Sequence, residues 1–266
     1  MNRTATMTAL LVLAASGAAV AEPFQKVVSL DYCADQFVLK LLPRAKILAV
    51  SPDAHRDFSY MRDAVAGLQQ VRPVAEDILA LQPDLIVRSY GGGPRAVSFF
   101  ERAGVPVLQV PFANNLDDIR ATTLMMADRL GESERGREVV ADMDRRLAEI
   151  DDNKPSRSTL YMTPNGATSG TNTLIHEMLL AANLDNFEQR PGWHSIPLEQ
   201  LAVSQPELVA AAFFDGGTSH PAMWSAMRHP VAQRQVSERP TVMLQGAWTS
   251  CGGWFLVDAI EALASR

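Results

Sequence analysis

The sequence lacks a surplus of basic residues, a second long apolar run and the ligand spacing of a common metal site. Its 30 acidic residues outnumber its 24 basic ones, which argues against nucleic acid or an anionic membrane surface as a partner. Beyond residue 21 no segment is apolar enough to span a bilayer, since a spanning helix needs about 20 apolar residues. The five histidines and two cysteines do not show the spacing of a zinc or copper site. We therefore expect no bound metal.

The usual signatures of an enzyme are also missing. The sequence contains no GxSxG elbow, no GxxxxGK[ST] phosphate loop, no HExxH helix and no CxxC pair. The three glycines at 91–93 lack the spacing and the later acidic partner of a dinucleotide-binding fingerprint. We expect a protein that binds its ligand unchanged and needs no cofactor, with an enzyme as a remote alternative.

The first 21 residues predict a secretory signal peptide. Arg3 gives a positive start, residues 7–20 form an uncharged run rich in alanine and leucine, and Ala19-Val20-Ala21 is a cleavage signal. The run is too short for a membrane anchor. We expect a mature chain that begins at Glu22 and is exported to a bacterial periplasm. Its net charge would be −7, because Arg3 is the only charge removed from a chain of net charge −6.

One segment occurs twice in the chain. Residues 76–87 read EDILALQPDLIV, and residues 199–210 read EQLAVSQPELVA. Each copy predicts a short helix with an acid in its first turn, where the helix dipole favours negative charge. A proline, Pro83 or Pro206, then ends the helix before a short apolar strand. Two such units predict two similar lobes, and two lobes make a cleft suited to a small molecule.

Strands and helices alternate along the mature chain, which predicts an α/β fold with mostly parallel sheets flanked by helices. A long amphipathic helix is predicted at about 133–151, and the polar segment that follows contains Pro155. We therefore expect an N-terminal lobe at 22–131, a connecting helix at 132–154 and a C-terminal lobe at 155–266.

Six segments, in order, resemble the substrate-binding proteins of ABC importers for ferric siderophores, haem and cobalamin. They are VVSLDYCADQ at 27–36, LALQPDLIV at 79–87, RAGVPVLQV at 102–110, GATSGTNTLIHEML at 166–179, IPLEQLAVSQPELV at 196–209 and AWTSCGGWFLVDAIEAL at 247–263. Each segment alone is weak evidence, but together and in order they are distributed over nearly the whole mature chain, from residue 27 to residue 263.

The resemblance implies two α/β lobes joined by one long rigid helix, with the ligand between the lobes and modest hinge motion. It implies a small-molecule metal chelate or corrinoid as ligand and an inner-membrane ABC permease as partner. In that family one exposed glutamate on each lobe docks onto the permease, and Glu76 and Glu199 match those positions. We expect a monomer.

In such an architecture the loops that follow the strands line the cleft. Tyr32, Tyr90, Trp193 and Trp248 lie in these loops and offer flat apolar contacts with polar tips. Trp193 and Trp248 also match positions where the cobalamin-binding relatives hold ligand-facing tryptophans. The predicted ligand-binding residues are Tyr32, Cys33, Arg72, Tyr90, Asn165, Trp193, His194, Trp248 and Cys251.

The loop arginines, Arg72 among them, would suit the carboxylates of a siderophore or of haem. The tryptophans favour cobalamin instead. A ferric siderophore is the first prediction for the ligand, cobalamin or a related corrinoid the second, and haem the third.

Cys33 and Cys251 leave three alternatives open. An exported chain with an even number of cysteines suggests a disulfide, and here it would join the two lobes and limit the opening of the cleft. The alternatives are two separate thiols, buried or facing the ligand, and a metal site.

Overall fold

A computed structural model describes residues 24–151, 155–214 and 225–266. The predicted signal peptide and the predicted cleft loop at 216–220 lie outside these residues. The first lobe, residues 24–131, holds a four-stranded parallel sheet in the order β2-β1-β3-β4. Its elements are β1 (Val27–Ser29), α1 (Tyr32–Leu41), β2 (Ile47–Ala49), α2 (Ala75–Ala80), β3 (Leu85–Arg88), α3 (Ala96–Arg102), β4 (Val107–Gln109) and α4 (Leu116–Arg129).

The second lobe, the described part of residues 155–266, holds a parallel sheet in the order β10-β9-β5-β7 and a two-stranded antiparallel sheet of β6 and β8. Helix α5 (Ser133–Ala148) leads into it from the first lobe. Its elements are β5 (Ser158–Met162), β6 (Ala167–Ser169), α6 (Leu174–Ala181), β7 (Asp185–Asn186), β8 (Trp193–Ser195), α7 (Leu198–Val203), β9 (Leu208–Ala212), α8 (Pro230–Glu238), β10 (Thr241–Leu244), α9 (Gly246–Thr249) and α10 (Leu256–Ala264). The predicted α/β class is confirmed.

The repeated segment occupies the same place in both lobes. Its helix is α2 in one copy and α7 in the other, and its strand is β3 or β9, each next to the first strand of its lobe. The acid after each proline fixes that first strand. Asp84 accepts hydrogen bonds from the backbone N–H groups of Gln25 and Lys26, and Glu207 accepts one from Ser158. The two parallel sheets also have the same strand order: β2-β1-β3-β4 in the first lobe corresponds to β7-β5-β9-β10 in the second.

The connecting helix is shorter than predicted. Helix α5 ends at Ala148 rather than near Asp151, because the N–H of Glu149 turns back to the carbonyl of Arg146 and closes a tighter last turn. Arg146 forms ion pairs of 2.6 Å with Asp258 and 2.5 Å with Glu261. Both acids belong to α10, so α5 is fixed to the second lobe along its last turn.

A single apolar core joins the two lobes. One cluster of buried side chains includes Phe37 and Leu41 of α1, Met143 of α5, and Tyr161 and Ile260 of the second lobe. Two smaller clusters, one in each lobe, cover the face of each parallel sheet that points away from this shared core. The lobes are therefore held by packing as well as by the connecting helix. Within the part of the chain that the structure describes, no helix has the length and apolarity to cross a membrane.

Candidate functional site

A cleft of about 700 Å³ lies between the lobes at the carboxyl ends of their strands. Ligands of open α/β sheets bind at this edge, and the volume is typical of a small-molecule pocket. The first lobe supplies Tyr32, Cys33, Phe37, Ser89, Tyr90 and residues 109–114. The second lobe supplies residues 172–175, Gly192, Trp193 and residues 249–252.

Asp31 builds the first-lobe wall. Its Oδ1 accepts the N–H of Ala34 at 3.0 Å and so caps α1. Its Oδ2 accepts the N–H groups of Ser89, Tyr90 and Gly91 at 2.7–3.0 Å. One buried carboxylate thus joins the loop after β1 to the loop after β3. The positions of Tyr32 and Tyr90 in the cleft follow from this contact.

Aromatic side chains line both walls. The ring of Tyr32 packs edge-on against Phe58 at 4.7 Å and against Tyr90 at 5.9 Å between centroids. Burial, together with neighbouring Asp31, raises the pKa of both tyrosine hydroxyls, so they are neutral at physiological pH. On the opposite wall Trp193 lies edge-on to Tyr161 at 6.0 Å. Tyr90 and Trp193 remain 53% and 55% exposed, so their rings are available to a ligand.

Cys33 and Cys251 are joined by a disulfide at the floor of this cleft. Beside it, the hydroxyl of Ser250 donates a hydrogen bond of 2.7 Å to the carbonyl of Phe58. Both contacts run from one lobe to the other and form a bridge across the cleft floor. Among the described residues no group of three or more histidine, cysteine, aspartate or glutamate side chains could hold a metal ion.

The described part of the cleft wall carries no charged side chain. Among the described residues that line it, none is acidic, basic or a histidine. Arg72, which was predicted to bind the ligand, pairs with Asp77 at 2.7 Å, and Arg190, in the segment before β8, pairs with Glu188 at 2.7 Å. The polar groups that face the cleft are hydroxyls and carboxamides, which suit hydrogen bonding to a neutral ligand.

The structure brings five of the nine predicted ligand-binding residues to this cleft: Tyr32, Cys33, Tyr90, Trp193 and Cys251. The other four lie elsewhere. Arg72 and Asn165 are exposed outside it, and His194 contacts the carbonyl of Pro191. Trp248 lines a second, smaller cavity with residues 60–64 and Gln245. That cavity lies between the lobes as well, beyond the bridge of Ser250 and Phe58.

Glu76 and Glu199 occupy equivalent positions, each the second residue of its helix. Both are exposed. Each helix directly precedes the corresponding strand of its sheet, β3 in the first lobe and β9 in the second. Neither carboxylate forms a hydrogen bond or ion pair with another residue of the described ranges.

The loop after β4 is part of the site that the sequence interpretation missed. Residues 110–114 line the cleft, and Phe112 is 81% exposed there. The same rule that placed the loops after β1 and β3 in the cleft applies to this loop, so the signal was present. Residues 172–175, from the loop after β6 into the first turn of α6, also line the cleft.

Solved structures similar to this chain share its fold. A possible iron-binding periplasmic protein from Staphylococcus epidermidis is 17% identical, with a TM-score of 0.73, and the match covers 92% of this chain and 98% of that one. A periplasmic haem-binding protein from Pseudomonas aeruginosa is 21% identical, with a TM-score of 0.67 over 91% and 92% of the chains. The vitamin B12 binding protein of Vibrio cholerae is 19% identical, with a TM-score of 0.63 over 91% and 96%.

No curated protein matches the sequence significantly. The family model described as periplasmic binding protein, however, matches residues 27–243, which is most of the chain and extends from the first lobe into most of the second. With the two-lobed fold and the cleft between the lobes, this match shows that the chain belongs to the periplasmic binding protein family.

Proposed function

We propose that this protein is the substrate-binding component of an ABC importer and captures a bulky, uncharged iron chelate, a ferric siderophore of the hydroxamate type. The described lining of the cleft, which has no charged side chain and is rich in aromatic rings, carries the proposal. A charged ligand that enters such a cleft loses hydration without gaining a counter-ion, which is costly. A neutral ferric hydroxamate avoids that cost and presents apolar surface to Tyr90 and Trp193.

A corrinoid such as cobalamin is the second candidate. Trp193 favours it, because this side chain faces the cleft at a position where the resemblance implies a ligand-facing tryptophan. A corrin ring also offers a broad face to an exposed indole. Haem is less well supported, since its propionates would meet no cation among the described residues of the wall.

The placement of Glu76 and Glu199 supports delivery to a permease. The two carboxylates are exposed, form no hydrogen bond or ion pair within the described ranges, and occupy equivalent positions in the two lobes. An acid on each lobe can pair with basic side chains of a membrane partner and orient the cleft mouth towards it. Export through the predicted signal peptide would bring the protein to the periplasm.

The first test is a titration of the mature chain, from Glu22 onward, with cyanocobalamin and separately with the ferric hydroxamate ferrichrome. Tryptophan fluorescence is the readout, with absorbance controls because both ligands are coloured. We expect saturable one-to-one quenching by ferrichrome. In a Trp193→Phe variant the fluorescence change on binding should be much smaller. Saturation by cyanocobalamin alone would favour the second candidate. Mass spectrometry of the recovered ligand then checks that the protein leaves the ligand chemically unchanged.

A further inference from the structure

The loop after β4 presents two exposed side chains to the cleft, and the second lobe presents a matching pair. We propose that Phe112 and Asn114 of the first lobe, with Trp193 and Asn172 of the second, select a neutral ligand that has a broad apolar surface and peripheral amide groups. This inference rests on the proposed function, because it concerns the ligand of the same cleft.

Phe112 is the most exposed aromatic side chain among the described residues, at 81%. It belongs to none of the three apolar clusters that form the core. Its neighbours in the chain are fixed: Ala113 is buried in the core, and the N–H of Asn114 donates to Asp118 of α4 at 2.8 Å. The fold thus holds the backbone in place and leaves the ring free for a ligand.

Trp193 is the counterpart on the second lobe. It begins β8, pairs with Ser169 across the small antiparallel sheet and rests edge-on against the buried Tyr161. Its backbone and one edge of its ring are therefore fixed, while 55% of the side chain stays exposed. An aromatic ring on each lobe can cover two sides of one ligand, and burial of such rings stabilises complexes strongly.

The two asparagines supply the polar complement. Asn114 and Asn172 are both exposed in the cleft. Their side-chain amides form no hydrogen bond with another residue of the described ranges. Asn172 has a φ of 60°, a left-handed conformation that asparagine tolerates, and it precedes the helix cap Thr173. A carboxamide donates and accepts at once, so this pair matches amide groups and has no charge with which to neutralise an anion.

The chemistry that fits all four residues is therefore shared by a corrin with carboxamide side chains and by a cyclic peptide hydroxamate. Both are bulky, both have no charge that needs a partner, and both carry amides at the periphery. A tricatecholate iron complex and haem carry negative charge, for which the described wall offers no cation.

The test uses isothermal titration calorimetry of the mature chain with four probes: ferrichrome, cyanocobalamin, ferric enterobactin and haemin. Phe112→Ala and Trp193→Ala are each expected to weaken the binding of the neutral probe that the native chain accepts by about tenfold or more. Asn114→Asp and Asn172→Asp keep the side-chain shape but replace the amide donor with a charge, so we expect weaker binding of the same probe. Leu180→Ala, an exposed side chain of α6 outside the cleft, and Gln233→Glu on α8 are the matched controls. We expect them to bind as the native chain does.

The outcomes distinguish a failure of the proposed ligand selection from a failure of the proposed transport function. Binding of ferrichrome or cyanocobalamin that Phe112→Ala leaves unchanged would overturn the role of the β4 loop and leave the importer function standing. Preference for ferric enterobactin or haemin would overturn selection of neutral ligands, again without touching the transport role. Binding of none of the four would overturn both, and circular dichroism of every variant shows whether a loss reflects unfolding.

Discussion

The disulfide between Cys33 and Cys251 should contribute a large part of the stability of this protein. Its removal by the double substitution Cys33→Ala and Cys251→Ala frees a chain segment that spans 218 positions. In the chain-entropy model, closing a loop of this length in the unfolded state amounts to about 5 kcal/mol at 25 °C. Because measured values usually fall below that limit, we expect a loss of about 3 to 5 kcal/mol in the free energy of unfolding.

Urea unfolding followed by far-ultraviolet circular dichroism measures this loss. With a slope near the upper end of the usual range, about 3 kcal/mol per molar urea, the midpoint should fall by about 1 to 1.7 M. The oxidised and reduced native chains give an independent comparison without any substitution. The double alanine variant, treated with the same reductant, is the control and should show no further change.

A midpoint that moves by less than about 0.3 M would refute the reasoning, since it would mean that the bridge contributes under about 1 kcal/mol. Loss of the single transition would be informative in a different way. The lobes share one apolar core, so we expect the variant still to unfold in one step, at lower urea. Two separate transitions would show that the disulfide, and not the core, couples the lobes.

Three further predictions concern buried and exposed acids. Burial raises the pKa of Asp35 from 3.8 to about 6, so its contribution to the free energy of unfolding falls as pH rises from 4 through 6, by about 3 kcal/mol in all. Asp35→Asn should flatten that pH dependence in urea titrations, and an unchanged slope would contradict it. Asp31→Ala leaves three N–H groups of the 89–91 loop without their acceptor. The variant should lose about 2 to 3 kcal/mol in the free energy of unfolding and should bind the ligand more weakly in calorimetry. Native affinity would show that the loop keeps its shape without the Asp31 carboxylate. Glu76→Arg with Glu199→Arg should abolish uptake into cells but spare ligand binding, whereas Glu101→Arg, at an exposed acid on α3, should leave both uptake and ligand binding unchanged; full uptake by the double variant would reject the docking role.

The repeated segment shows how much of the fold the sequence predicts. Its helix, proline and strand appear in both lobes at equivalent places, because short-range chemistry decides each step: a favourable acid, a residue that ends a helix and a buried apolar run. The alternation of strands and helices likewise predicts the parallel sheets. These signals depend on residues that are close together in the sequence, so they can be recognised from the sequence alone.

The cleft was harder to predict, because its walls depend on residues far apart in the chain. Trp248 and Trp193 look alike as loop tryptophans, yet the contact between Ser250 and Phe58 leaves them in different cavities. Arg72 resembles a ligand-binding arginine until Asp77, five residues on, is seen to hold it. Trp248, which was predicted to lie in a loop, belongs to the short helix α9. A lone aromatic residue in a loop, such as Phe112, has no periodicity to mark it.

The core that runs from lobe to lobe also determines how binding should look in a calorimeter. A cleft whose two walls already share one packed interior has its shape before the ligand arrives, so little conformational entropy remains to be lost on binding. The heat-capacity change should then report the apolar surface of the ligand and of the cleft wall alone, without the larger value that accompanies folding coupled to binding. Association should follow a single exponential, with a rate that rises in proportion to ligand concentration.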